Sequence, residues 1–277
     1  MGRWGDKLYE SDAALDYFAS ITDCIMREIY YLFSPEQVKP NTTWIIEVVT
    51  VIEIMLLFAQ KEIGSAVYLM DEDEAIERWR SVFFTVWDAE WNEPEKSHFP
   101  FHAYAYRQAH RDIVIKWFDR LDELSLFLGD DELEGKELKK FISQVGLPYF
   151  SLAYSETGPA TAYPITGFFL SDLIEWLKYS VVFVLSDENR KLAIGFFQIE
   201  DVWVAVDVMA LLCETYARSP QVTYQTVEIW QKKMTDIWKA RLAEEAMEWE
   251  EADEYKNVVA RFDQLKALAQ KYPPMFS

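Results

Sequence analysis

The sequence predicts an all-α protein, built as a multi-helix bundle. Three observations carry that expectation. Apolar residues make up 51% of the 277 residues, which is enough for a full core. Only nine Gly and ten Pro punctuate the chain, too few for the frequent turns of an all-β fold. Apolar side chains recur at helical spacings of three and four through most of the sequence.

The first helix is expected to start after Ser11, an N-cap residue type. Leu15, Phe18, Ile21, Ile25, Ile29 and Leu32 then form one stripe, closed by Ser34-Pro35 and Lys39-Pro40. A second helix is expected from about Thr43 to Lys61. It is apolar nearly all round and is therefore expected to be central. The third follows Asp71, Glu72, Asp73 and Glu74, whose charges suit the positive end of a helix dipole. Its buried face is expected to hold Trp79 and Trp87. A Pro-containing connection over 92–100 leads to the cleanest period of the chain, Tyr106, His110, Ile113, Trp117, Leu121, Leu124 and Leu128, with Gly129 as a C-terminal cap. A shorter helix over about 131–145 ends at Gly146.

Residues 147–169 carry Pro148, Gly158, Pro159, Pro164 and Gly167 and mark the expected connection between a unit over 1–146 and a unit over 170–277. A short strand over 147–154 has little pattern to support it. Helices are expected to resume over 170–185, 198–218 and 223–249. Glu250–Lys271 carries a further apolar stripe, and no Gly or Pro interrupts 221–272. Either one very long helix or two abutting ones satisfy that pattern.

Parts of the two halves resemble each other. Val51–Phe58 aligns with Ala205–Leu212, sharing an acid, a Met and a Leu. Trp79 and Trp87 match Trp230 and Trp238, each pair eight positions apart. The expectation is two similar three-helix units, the second a diverged repeat of 10–91, bridged by the middle helices. Glu53 and Asp207 are then equivalent acids on strongly apolar helices. Such acids need a partner, so their expected role is structural.

The charge is −20. Such a surface repels nucleic-acid phosphates and anionic lipid headgroups and attracts basic proteins. The most apolar stretches all contain acids, among them Glu47, Glu53, Glu200 and Asp201. Each would cost about 2.5–3.5 kcal/mol at bilayer depth, so no membrane span is expected. No apolar signal region follows the N-terminus, and Asp6 stands where a myristoylation motif needs Ser or Thr. The expected location is cytoplasmic. Cys24 and Cys213 lack metal-ligand spacing and are expected to be small buried hydrophobes.

The opening Met1-Gly-Arg-Trp-Gly5 and Ser11-Asp-Ala-Ala-Leu-Asp-Tyr-Phe18 resemble a small bacterial family, domain of unknown function 4259. The resemblance covers residues 1–91. It departs from the family in the bulk of the second helix and in lacking a glycine-rich turn near Asp6. It implies a helical fold and no particular chemistry.

No catalytic constellation stands out. His98 and His102 are four apart, the spacing of two metal ligands on one helix turn, but Pro100 lies between them and no zincin pattern accompanies them. No nucleophile elbow, phosphate-cradling glycine loop or basic aromatic patch occurs. No cofactor is expected. Three acidic runs remain as candidate partner-binding residues. They are Asp71 to Glu74; Asp130, Asp131 and Glu132; and Glu244, Glu245, Glu248, Trp249, Glu250, Glu251, Asp253 and Glu254. As a helix the last would show carboxylates nearly all round, with like charges at i,i+4, a tension that a basic partner would relieve. The expectation is a non-enzymatic acidic binding protein that neutralises a basic protein, most sharply a bacterial immunity protein or antitoxin. A scaffold or accessory subunit is the first alternative and a metal-dependent helical-bundle enzyme the second.

Overall fold

The structure is a computed structural model and describes residues 12–39, 41–60, 73–91, 111–122, 168–186, 196–245 and 251–274. It is all-α, with eight helices and no strand among the described residues. They are α1 (Asp12–Leu32), α2 (Thr42–Gln60), α3 (Asp73–Trp91), α4 (111–122), α5 (Phe168–Val184), α6 (Phe196–Thr215), α7 (Tyr224–Glu245) and α8 (Glu251–Lys271). The expected strand over 147–154 and the helix over 131–145 lie outside the described residues.

The chain divides into two compact units, one formed by Met1–Phe18 with Ser171–Ser277 and the other by Ala19–Leu170.

In the 19–170 unit, α2 is the core helix. From Trp44 to Phe58 every residue except Ile46 is buried, which follows from a sequence with almost no polar face. Its start is set by Asn41, whose Oδ1 accepts a 2.8 Å hydrogen bond from the Trp44 backbone N–H, an N-cap that satisfies one of the orphan donors of the first turn. The Trp44 indole donates to the Leu32 carbonyl at 2.8 Å, so its polar atom is satisfied while the ring is buried. Around it, Phe33 stacks on Trp79 at 5.6 Å and Phe83 packs on Trp44, Trp87 and Phe118. Such ring pairs add about 0.5–1.5 kcal/mol each beyond area burial. Arg111 lies over the Phe84 ring at 4.6 Å and pairs with Asp88 through two hydrogen bonds of 3.1 and 3.2 Å, joining α4 to α3. Buried Glu47 accepts from the Phe169 N–H at 3.2 Å, placing a negative charge at the first turn of α5.

In the other unit, α6 is the core helix and is buried at nearly every position from Ile199 to Cys213. Trp203 of α6 meets Trp238 of α7 at 5.0 Å. The glycine-free stretch over 221–272 is not one straight helix. Gln231 of α7 donates to Asp263 of α8 at 3.2 Å and accepts from Lys266 at 2.9 Å. A straight helix would hold Gln231 and Asp263, 32 residues apart, about 48 Å from each other. Two helices packed side by side are therefore the answer to the alternative left by the sequence. At the end of α6, Arg218 N–H bonds to Cys213 C=O and Ala217 N–H to Glu214 C=O, with Ala217 at φ 49°. This is the Schellman arrangement, made here without glycine.

Candidate functional site

A groove opens on the surface of the unit that contains 171–277. Its volume is about 270 Å³, just below the range of small-molecule sites and sized for one side chain or a small ligand. Three helices build it. α1 supplies Tyr17, α5 supplies Trp176, Tyr179 and Phe183, and α6 supplies Asp201.

The helical repeat explains why α5 can do this. Leu170, Leu173, Ile174, Leu177, Val181 and Val184 are buried. Trp176, Tyr179, Ser180 and Phe183 recur at the same three- and four-residue steps on a second stripe. That stripe is only partly covered: Trp176 and Ser180 are half-buried. Tyr179 is 65% exposed and Phe183 50%, with Val182 beside them at 47%. The rings are ordered against one another. Tyr17 stacks on Trp176 with centroids 5.8 Å apart and planes within 8°, and Tyr179 stacks on Phe183 at 6.2 Å. Ser180 directs its hydroxyl to the Trp176 carbonyl at 3.1 Å.

Asp201 is the carboxylate of the groove. Burial pushes its carboxyl up to about 7, and the negative charge of neighbouring Glu200 adds to the rise. Among the described residues no cation pairs with it. Asp207, on the same helix, shows the contrary case. Its carboxylate meets the Arg261 guanidinium of α8 at 2.7 Å.

The residues singled out from the sequence fall elsewhere. Asp73 and Glu74 open α3, Glu244 and Glu245 close α7, and Glu251, Asp253 and Glu254 open α8, all with side chains outside the described set. Asp71, Glu72, Asp130, Asp131, Glu132, Glu248, Trp249 and Glu250 lie outside the described residues, as do His98 and His102. Trp79, Trp87, Trp230 and Trp238 are buried, and so is Glu53. Among the described residues no cluster of three or more His, Cys, Asp or Glu is placed to hold a metal ion. No described helix is long and apolar enough to cross a membrane. Cys213 is buried, and burial raises its thiol to about 12. Cys24 differs from the expectation of burial. It is only partly covered, because it sits between exposed Asp23 and buried Ile25, off the Ile21–Ile25–Ile29 stripe.

The groove was not singled out by the sequence. The signal was present in the double apolar stripe of α5, but a helix with two apolar faces looks the same whether both are covered or one is not.

No family model, curated protein or solved structure matches this chain. The opening residues 1–11, on which the resemblance to domain of unknown function 4259 chiefly rests, lie outside the described residues.

Proposed function

We propose that this chain is a non-enzymatic acidic binding protein that neutralises a basic protein partner, most sharply an immunity protein or antitoxin acting on a cationic toxin. The observation that carries the reading is the charge of −20 on a chain that also presents exposed Tyr179 and Phe183 in a groove shared with Asp201. A charge of that size steers a basic partner into encounter, and aromatic residues at a desolvated centre supply the bulk of interface energy. Neutralisation would work by occlusion, as carboxylates pair with the Lys and Arg side chains that the partner needs for its own ligand.

The test is an affinity capture from host lysate, washed at low and then high salt, followed by titration of the captured protein against charge-reversed variants. A basic protein that elutes with salt, and binds at least tenfold more weakly when Asp73, Glu74, Glu251, Asp253 and Glu254 are all changed to Lys, is the expected result. Binding indifferent to those changes overturns it. The exposed Tyr179, Val182 and Phe183 favour a second reading, an accessory subunit held by apolar contact. A partner retained through the high-salt wash would select that one.

A further inference from the structure

The groove on the 171–277 unit has the chemistry of a cation acceptor. A half-buried carboxylate that keeps its charge must be compensated, and Asp207 is compensated from within by Arg261. Asp201 stands on the same helix with no such partner among the described residues. The one cation of α5, Lys178, does not line the groove and pairs with Glu175. Among the described residues, the titratable groups close to Asp201 are Glu200 on its own helix and the phenols of Tyr17 and Tyr179 from α1 and α5; none of these is a cation. Aromatic rings line the same groove as the carboxylate, with Tyr17 and Trp176 nearly parallel in their stack. Aromatic faces attract cations, and a planar guanidinium both stacks on rings and forks onto a carboxylate. The volume of about 270 Å³ is enough to admit such a side chain.

We infer that this groove receives one arginine side chain of the basic partner, its guanidinium stacked among Tyr17, Trp176, Tyr179 and Phe183 and paired with Asp201. The source of the arginine rests on the basic-partner reading above; the chemistry of the groove does not.

The full-length chain is titrated with a short blocked peptide carrying one Arg, and with matched peptides carrying citrulline or Lys. Binding is read by saturation-transfer NMR. At pH 8 the Arg peptide is expected to bind at least tenfold more tightly than the citrulline peptide, which keeps the shape and loses the charge, and more tightly than the Lys peptide. Asp201→Asn and Tyr179→Ala should each weaken the Arg peptide at least fivefold while the urea midpoint of neither falls. Because a carboxyl near 7 is about nine-tenths protonated at pH 6, binding there should be about tenfold weaker than at pH 8. Charge reversal at Asp253 and Glu254 should change the peptide affinity less than twofold. Equal binding of the Arg and citrulline peptides, or wild-type affinity in Asp201→Asn, overturns the inference. Lys binding as well as Arg overturns the guanidinium assignment, and free arginine binding more tightly than the blocked peptide overturns the protein source. The two readings fail separately. If a basic protein is captured equally by wild type and Asp201→Asn, the groove inference falls and the neutraliser stands. If the Arg peptide binds as expected and no basic protein is captured, the reverse holds.

Discussion

Asp201 sets a linkage of unusual sign. Its folded carboxyl lies near 7, above the ordinary carboxylate value, so the native state holds the proton more tightly than the unfolded chain. Below about pH 4 both states are protonated and the group adds no slope. Between about 4 and 7 the native form keeps the proton and the unfolded form has lost it, so stability falls as pH rises through that window. Above 7 both are ionised and the full cost of the buried charge is felt. Asp201→Asn should therefore gain on wild type as pH rises from 5 to 8, by about 1 kcal/mol, since the carboxylate keeps part of its solvent contact and the shift is discounted accordingly. Urea melts at the two pH values check this, and a gain independent of pH would refute it. Asp263 runs the other way. Hydrogen bonds from Lys266 and Gln231 hold its carboxyl low, so its contribution is present at neutral pH and lost in acid. The two thiols separate as sharply. Cys213 is fully buried and barely ionises, whereas Cys24 is partly exposed. An aromatic disulfide reagent should label about one thiol per native chain, at Cys24, and both after unfolding. Rapid native labelling of Cys213 would show that the core of α6 opens readily.

At the scale of elements, periodicity was a good guide where one stripe met one core. Phe18, Ile21, Ile25 and Ile29 of α1 and Trp79, Phe83 and Trp87 of α3 are buried at the positions their spacing demands. It was silent where tertiary packing decides. Nothing in residues 221–272 announces that the chain folds back, because no Gly or Pro occurs there; the pairing of Gln231 with Asp263 and Lys266 reveals it. The candidate site was illegible for the same reason. Whether the Trp176–Tyr179–Phe183 stripe of α5 is covered depends on α1 and α6, which no local pattern encodes. The end of α6 is a further case. Ala217 occupies the left-handed C′ position that glycine normally fills, at φ 49°. A Cβ there costs about 1–2 kcal/mol, partly offset by the smaller entropy an alanine loses on folding. Ala217→Gly is expected to stabilise the chain by about 0.5–1 kcal/mol, measured as a rise in urea midpoint at constant slope. A loss of stability would mean that the two Schellman hydrogen bonds at Ala217 and Arg218 do not hold in solution.

For the molecule as a whole, the charge of −20 is the property that reaches beyond any single helix. With 47 Asp and Glu against 27 Lys and Arg, the acids outnumber the cations that could pair with them. The intramolecular pairs that are formed, such as Arg80 with Asp119 and Arg111 with Asp88, lie at partly exposed positions where each contributes little. The remaining negative charges repel one another in the folded state and are further apart in the unfolded chain, so self-repulsion opposes compaction. Raising ionic strength shortens the reach of that repulsion, from a Debye length of about 30 Å at 0.01 M to about 8 Å at 0.15 M. Stability should therefore rise with salt over this range, by on the order of 1 kcal/mol, while a surface held together by ion pairs would weaken. Sodium chloride titration of the urea midpoint distinguishes the two. Asp207→Asn, which removes the acid paired with Arg261, should leave the salt slope almost unchanged, because one charge in so many alters the field little. A midpoint that falls with salt would show that local pairing outweighs net repulsion. The long-range attraction on which the neutraliser reading depends would then be weaker than the formal charge implies.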